Sequence, residues 1–221
     1  MRDARPGRPA GVRRAAAALL ALACTAVHAA GDEALKNAAV GGTLLSWAAA
    51  LWVGAPLTRC DDTRWRLRVA AAQGDELQQV QVGAARGRCA LFDAGPWSLS
   101  HTPTLTLAHW RADDGPYARH AFDVAAVPML HWRAPMPGTA LAFDVELGIG
   151  AAWLSRKNIG TRAKGSHFQF SDHLGFGIGE PGGRWRVGFT YRHVSNGDLT
   201  DDNDAVDFKG VVFEWRAFDG R

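Results

Sequence analysis

Hydrophobic and polar residues alternate along most of the chain after residue 61, which is the pattern of β-strands with two chemically different faces. The clearest example is the segment 139–155. One of its faces is apolar and carries Leu141, Phe143, Val145, Leu147, Ile149, Ala151 and Trp153. The other face carries small residues together with Asp144 and Glu146. Such strands are typical of transmembrane barrels, whose outer face contacts lipid and whose interior is polar.

Similar segments follow one another at regular spacing, separated by turn residues. We predict eight strands, over 63–73, 77–87, 96–110, 118–133, 139–155, 166–179, 184–196 and 206–218. The even number suits a bacterial single-chain barrel. The alternation is interrupted near Pro128 and Asp172, which we interpret as β-bulges. The predicted fold is therefore an all-β, eight-stranded antiparallel transmembrane β-barrel of the outer membrane, formed by residues 61–221.

Charged residues on the polar faces are expected to pair inside the barrel, because buried charges must be paired. The predicted pairing joins Arg186, Arg192 and Arg216 with Asp144, Glu146 and Glu214. The connections alternate between tight turns, at 135–138 and 180–183, and longer polar loops, at 157–165 and 197–205. The longer loops therefore fall at one end of the barrel, which we expect to be extracellular.

The first 60 residues lack the strand pattern. A basic segment, an Ala/Leu run at 15–23 and the small-residue site at 27–29 predict a signal peptide over residues 1–29. A second apolar stretch, 39–57, is about long enough to span a bilayer. It leaves four alternatives open: a second helix, a displaced true signal, an accessory segment or an extra strand. For residues 30–60 we favour a helical segment outside the barrel, which processing could remove.

Composition narrows the class of protein further. The chain has 221 residues, a net charge of +3 and a mean hydropathy of −0.14. Its arginines are dispersed rather than clustered on one face, which argues against a nucleic-acid partner. No Cys/His spacing indicates zinc, so no metal and no cofactor are predicted. Cys60 and Cys89 could pair in an oxidising periplasm, and two free thiols remain the alternative.

The last two predicted strands carry the candidate chemistry. His193 and Ser195 share the apolar face of 184–196, and Asp207 has the same parity on the following strand. Strands joined by a turn are neighbours, so Asp207 can sit beside His193. Ser195 lies about 7 Å further along the strand on the same side. A nucleophile, a base and an orienting acid on one surface form a triad, which is recognised by geometry rather than by order in the chain.

These residues resemble the outer-membrane lipid A 3-O-deacylases, the PagL-like acyloxyacyl hydrolases. The resemblance covers about 95–218 and rests on the run 192–196, Arg-His-Val-Ser-Asn, and on the later acid. The segments 143–151 and 168–175 support it, since they are similar to the family's Glu-x-Gly-Ile-Gly strand and its Phe-rich strand. The family acid is commonly Glu where this chain has Asp207. The residues after Ser-Asn are usually Ala-Gly, and here they are Gly197-Asp198.

The resemblance implies a role for each of these residues. His193 would be the base, Ser195 the nucleophile and Asp207 the orienting acid. Asn196 would help to form the oxyanion hole, and Asn203 would support the site. The implied reaction is hydrolysis of an ester-linked acyl chain of lipid A. The basic loop at 156–164 would hold the lipid A phosphates, through Lys157, Arg162 and Lys164.

The expected partners are therefore lipid A or lipopolysaccharide and the outer membrane, and a homodimer is left open. Two other functions remain as alternatives. One is a structural, non-enzymatic outer-membrane barrel. The other is a phospholipase-type barrel hydrolase that uses the same triad on another ester.

Overall fold

The computed structural model describes residues 31–58, 60 and 62–218, and the predicted signal peptide lies outside them. One helix and ten strands follow in chain order. They are α1 (Asp32–Trp52), β1 (Asp62–Gly74), β2 (Leu77–Ala94), β3 (Trp97–Ala112), β4 (His120–Pro135), β5 (Ala142–Leu154), β6 (Asn158–Ile159), β7 (Arg162–Ala163), β8 (Phe168–Gly179), β9 (Trp185–Ser195) and β10 (Val206–Phe218).

Eight of these strands close into an antiparallel barrel in the order β1-β10-β9-β8-β5-β4-β3-β2. The predicted strand number and class are confirmed. β6 and β7 form a separate small hairpin within the β5–β8 connection. We call the end of the barrel that carries the β1–β2, β3–β4, β5–β8 and β9–β10 connections the loop end, and the opposite end the turn end.

The bulges predicted near Pro128 and Asp172 are wrong. The pairing of β8 with both of its neighbours is regular through Asp172. The pairing of β4 with β5 keeps the same register on both sides of Pro128. Register shifts occur instead in β1 and β2. The prediction failed at Asp172 because this charged residue lies on the outer face, among apolar residues. The alternation of polar and apolar residues is broken there although the strand pairing is regular.

The interior contains ion pairs, as predicted, although the partners of Arg192 and Glu214 differ. Arg186 contacts Asp144 at 2.6 Å and Glu146 at 3.2 Å, and Glu146 also binds Arg68 at 2.6 and 2.9 Å. Arg192 does not join this group: its guanidinium binds both oxygens of Asp123, at 2.8 and 2.9 Å. The reason is position along the barrel, because Arg192 lies nearer the loop end than Arg186.

Glu214 has partners other than the predicted ones. Its carboxylate lies 3.6 Å from Arg66 and 3.9 Å from Arg88. The pairing suggested for Arg216 stays a prediction. These interior side chains all occupy alternate positions of their strands. The side chains at the positions between them therefore point outward.

The helix α1 lies against the outer face of the barrel, so the favoured interpretation of the second apolar stretch as a non-barrel helix is confirmed. Leu35 and Ala39 are buried in one cluster with Leu147, Leu174 and Tyr191 of β5, β8 and β9. Further along, other α1 residues, among them Leu44, Leu45, Leu51 and Trp52, stay exposed. Within the described residues, no helix combines the length and apolar character that a membrane crossing requires.

Two contacts attach the end of α1 and the following segment to the barrel. Trp132 Nε1 donates to Ser46 Oγ at 2.8 Å. Cys60, just before β1, forms a disulfide with Cys89 of β2, which resolves the alternative that the sequence left open. The helix is thus fastened at its C-terminal side by covalent and polar contacts, and its N-terminal turn reaches the loop end.

Candidate active site

The candidate triad lies on the outer face of the barrel at the loop end. Along β9, Arg186 and Arg192 project into the interior, where they bind Asp144 and Asp123. Because side chains alternate along a strand, Tyr191, His193 and Ser195 project outward. The predicted orientation of the serine and the histidine is therefore found in the structure.

His193 and Asp207 are direct cross-strand partners in the β9–β10 pairing. The imidazole Nδ1 lies 2.8 Å from Asp207 Oδ1. Since a carboxylate only accepts, Nδ1 carries the proton, and this leaves Nε2 unprotonated in the neutral ring. The arrangement orients the ring and prepares Nε2 to act as a general base.

Ser195 is the last residue of β9 and lies opposite Phe170 of β8. In the part of the chain that the structure describes, no hydrogen bond joins the serine hydroxyl to His193. In enzymes without substrate such a contact is commonly long and tightens when substrate binds. Phe168 and Phe170 meet edge to face at 5.2 Å on the same face, which gives the serine an apolar flank suited to an acyl chain.

Two outer-face residues next to the triad were not recognised from the sequence. Tyr191 donates its hydroxyl to Asp207 Oδ1 at 2.5 Å, the same oxygen that binds His193. Asp172 of β8 pairs with His193 on its other side, so the histidine lies between two carboxylate-bearing strands. Parity along the strand places Tyr191 on the face of His193 and Ser195 but gives it no role, and the assumed bulge at Asp172 concealed the second residue.

Asn196 does not fit its predicted role as an oxyanion donor. Its side chain is fully buried, and Nδ2 donates to Thr200 Oγ1 at 2.6 Å and to the Asp202 carbonyl at 2.7 Å. It follows the last residue of β9, and these contacts direct its side chain into the β9–β10 connection. We correct that prediction: the Asn196 amide is engaged in holding the β9–β10 connection together.

Asn203 lies in the same connection and bridges its two sides. Its Oδ1 accepts the Asn196 backbone N–H at 2.8 Å, and its Nδ2 donates to Asp198 Oδ1 at 2.8 Å. Asp198 has a positive φ of 60°, a strained conformation for a residue with a side chain, and the Asn203 contact stabilises it. The supporting role suggested for Asn203 stays a prediction with which these contacts agree.

The three residues predicted to contact substrate phosphate differ in accessibility. Lys157 is exposed, and Arg162 is partly exposed and forms a 3.1 Å ion pair with Asp75. Lys164 does not fit the prediction, because it is fully buried. Its ammonium donates to the carbonyls of Val194 and Asp204 at 2.8 and 2.6 Å. Burial lowers the pKa of Lys164 to about 7, against the opposing attraction of the Asp204 carboxylate.

The possible metal ligands and a wide surface groove both lie away from the serine. The two groups of potential ligands in the described residues are Cys60, Cys89 and His101, and His131, Glu146 and Glu214. The first contains the disulfide, and the carboxylates of the second bind arginines. A groove of about 740 Å³ borders Asp207 but neither His193 nor Ser195.

A closed antiparallel eight-stranded barrel with a His-Asp pair and a serine on its outer face defines a class: an outer-membrane barrel with a candidate esterase site. A model of the family described as lipid A 3-O-deacylase (PagL) matches residues 79–216. The chain belongs to this family and is an outer-membrane β-barrel.

Individual relatives agree with that assignment. Over 124 residues the chain is 32% identical to the lipid A deacylase PagL of Bordetella bronchiseptica, a match that covers 55% of this chain and 66% of that protein. The PagL of Pseudomonas aeruginosa is 27% identical over 120 residues, 54% of this chain and 63% of that protein. The aligned part thus spans slightly less than two thirds of either relative.

The fold also matches a solved structure. The crystal structure of the outer membrane enzyme PagL superposes with a TM-score of 0.62 and 19% identity, over 69% of this chain and 99% of that one. At 19% identity, this similarity is evidence for the fold alone. The helix α1 lies before the residues that the family model matches.

Proposed function

We propose that the protein hydrolyses an ester-linked acyl chain of lipid A, at the 3-O position, with Ser195, His193 and Asp207 as its catalytic triad. The observation that carries the proposal is the 2.8 Å contact of His193 Nδ1 with Asp207 on the outward face that also carries Ser195. Family membership supports the substrate class and the 3-O position. The outer face supports it physically, because acyl chains already lie against the wall of a barrel in the membrane.

The reaction follows from the roles of the three groups. His193 Nε2 takes the Ser195 proton as Oγ attacks the ester carbonyl, and Asp207 stabilises the imidazolium that forms. The imidazolium then protonates the leaving sugar oxygen, and an acyl-serine remains. Water, activated by the same imidazole, attacks the acyl-serine and releases the fatty acid. During these steps the acyl chain lies against the apolar flank formed by Phe168 and Phe170.

The oxyanion must be stabilised by backbone N–H groups other than that of Asn196, because the side-chain amide and the backbone N–H of Asn196 are both engaged in the loop. Gly197 follows with φ 64°, and a Cβ there would meet the Phe170 ring at 2.8 Å. The glycine thus lets the chain turn tightly beside the serine. Donors at such a position are worth about 3–4 kcal/mol each in hydrolases of this kind.

Lipid A mass spectrometry tests the proposal. The full chain is expressed in a Gram-negative host without this activity, beside Ser195→Ala and Ser98→Ala, the second of which removes a hydroxyl at the turn end. Wild type and Ser98→Ala are expected to yield lipid A lighter by one acyl chain, with fragmentation placing the loss at the 3-O position. Ser195→Ala should leave lipid A intact.

Three results would contradict the proposal in different ways. Intact lipid A from the wild type, with folded barrel in the membrane, would favour the structural barrel. Fatty acid release from phospholipid alone would favour the phospholipase-type alternative. Deacylated lipid A from Ser195→Ala would remove the serine from the mechanism. Folding of each variant is checked by its shifted electrophoretic mobility before and after heating.

A further inference from the structure

Tyr191 is a fully buried residue beside the candidate triad. Its side chain is inaccessible to solvent, and its hydroxyl lies 2.5 Å from Asp207 Oδ1. The hydroxyl also lies 3.2 Å from the backbone carbonyl of Asp32. A phenol has one proton, which goes to the carboxylate, since charged acceptors form the shorter and stronger bonds. His193 and Tyr191 therefore hold a single oxygen of Asp207 from two directions.

The first turn of α1 keeps Tyr191 in this position. The Asp32 carboxylate forms an ion pair with Lys209, which is the cross-strand partner of Tyr191 on β10. Leu35 and Ala39, one and two turns further along α1, pack in the buried cluster that contains the tyrosine ring. The helix therefore closes the outer side of Tyr191, and lipid or water cannot reach the Tyr191–Asp207 bond from there.

We propose that Tyr191 is a positioning residue for the deacylation reaction and that the first turn of α1 holds it against Asp207. The inference rests on the proposed triad. The Asp207 side chain is short and partly exposed, so it can rotate unless both bonds to Oδ1 fix it. A fixed carboxylate keeps the His193 ring in the one orientation in which Nε2 faces Ser195.

Kinetics of Tyr191→Phe in lipid A-containing vesicles test the proposal. The full-length variant is expected to lose about tenfold or more in kcat with KM unchanged, the loss that removal of one hydrogen bond to a charged group causes. Tyr117→Phe is the matched control: Tyr117 is the chain's other tyrosine, lies exposed in the β3–β4 connection and should leave both constants unaltered. Lys209→Met, which removes the ion pair with Asp32, should lower kcat by about two- to threefold.

A double variant separates positioning from a structural role. When Asp207→Ala has removed the carboxylate, Tyr191→Phe should cause no further loss, because nothing remains to be positioned. An equal loss in both backgrounds, a kcat like that of wild type, or a change confined to KM would each overturn the proposal. Ser195→Ala is assayed alongside. Hydrolysis that survives without the serine would show that the triad itself is wrong, whatever Tyr191→Phe does.

Discussion

The pair Asp207→Asn and Asp207→Ala should separate the charge of the triad acid from its geometry. Both donors, His193 Nδ1 and the Tyr191 hydroxyl, meet at Oδ1. Within residues 31–58, 60 and 62–218, Oδ2 makes no hydrogen bond. An asparagine can therefore keep its carbonyl oxygen toward both donors and place its NH₂ where Oδ2 was. The His193 tautomer is preserved, and the charge alone is lost.

The magnitude follows from the two bonds. A hydrogen bond to a charged acceptor is worth about 1.5–3 kcal/mol and one to a neutral acceptor about 0.5–1.5 kcal/mol. The loss over both bonds is therefore about 2–3 kcal/mol. As a barrier this corresponds to a reduction in kcat of about 30- to 150-fold. Asp207→Ala also releases the imidazole from its orientation, and we expect a loss of about a thousandfold or more.

Release of fatty acid from lipid A in vesicles, followed by mass spectrometry under single-turnover conditions, measures both variants. The expected order is wild type, then Asn, then Ala, with the Asn variant at least tenfold more active than the Ala variant. Equal activity of the two variants would refute the argument that an asparagine preserves the tautomer. Wild-type activity in Asp207→Ala would refute the role of Asp207 altogether.

Three further predictions concern positions around the site. Gly74→Ala should lower activity in a folded barrel, because a Cβ there would lie 1.9 Å from the Asp207 carbonyl oxygen and displace the acid. Glu146→Gln should lower the free energy of unfolding by about 3–5 kcal/mol, measured with urea in vesicles, because it leaves the buried Arg68 without its charge partner and leaves Arg186 with Asp144 alone. The third prediction compares wild type with Lys164→Met. In the wild type, the pKa of Lys164 is lower in the folded than in the unfolded protein, so the unfolded state binds more protons between about pH 7 and 10. Over this window the unfolding free energy of wild type should rise relative to the variant by about 1 kcal/mol per pH unit.

Each of these predictions has a matched control or a contrary outcome. Gly182→Ala adds a Cβ whose nearest neighbour lies 4.0 Å away, so it should leave activity unaltered. Glu180→Gln breaks an exposed ion pair with Arg184 and should cost less than about 1 kcal/mol. A stability difference between wild type and Lys164→Met that stays constant with pH would contradict the buried ammonium.

Most of the fold was predicted from the alternation of polar and apolar residues along the strands. The period of two is a local property, so it located the strands to within a few residues except at the end of β2, which continues to Ala94 rather than residue 87. The same parity placed His193, Ser195 and Asp207 on one outward surface. The same reasoning predicted the pairing of Arg186 with Asp144 and Glu146 in the interior. Arg192 was assigned the wrong partner because parity gives the face of a residue and not its height in a closed barrel.

The failures concern long-range contacts that no local pattern encodes. The position of α1 across β5, β8 and β9 depends on surface complementarity between segments far apart in the chain. Lys164 looked like an exposed basic residue, whereas the loop folds over it and the carbonyls of Val194 and Asp204 replace its water. Asn196 followed the family motif, but its amide is directed into the loop.

The central claim, that Ser195 is a nucleophile activated by His193, is tested most directly by covalent labelling. The folded protein is treated with a lipid-like fluorophosphonate, digested, and the modified residue located by mass spectrometry. One label is expected, on Ser195, and it should be lost in His193→Ala although that variant remains folded. Labelling of another residue, or unchanged labelling of Ser195 without His193, would contradict it.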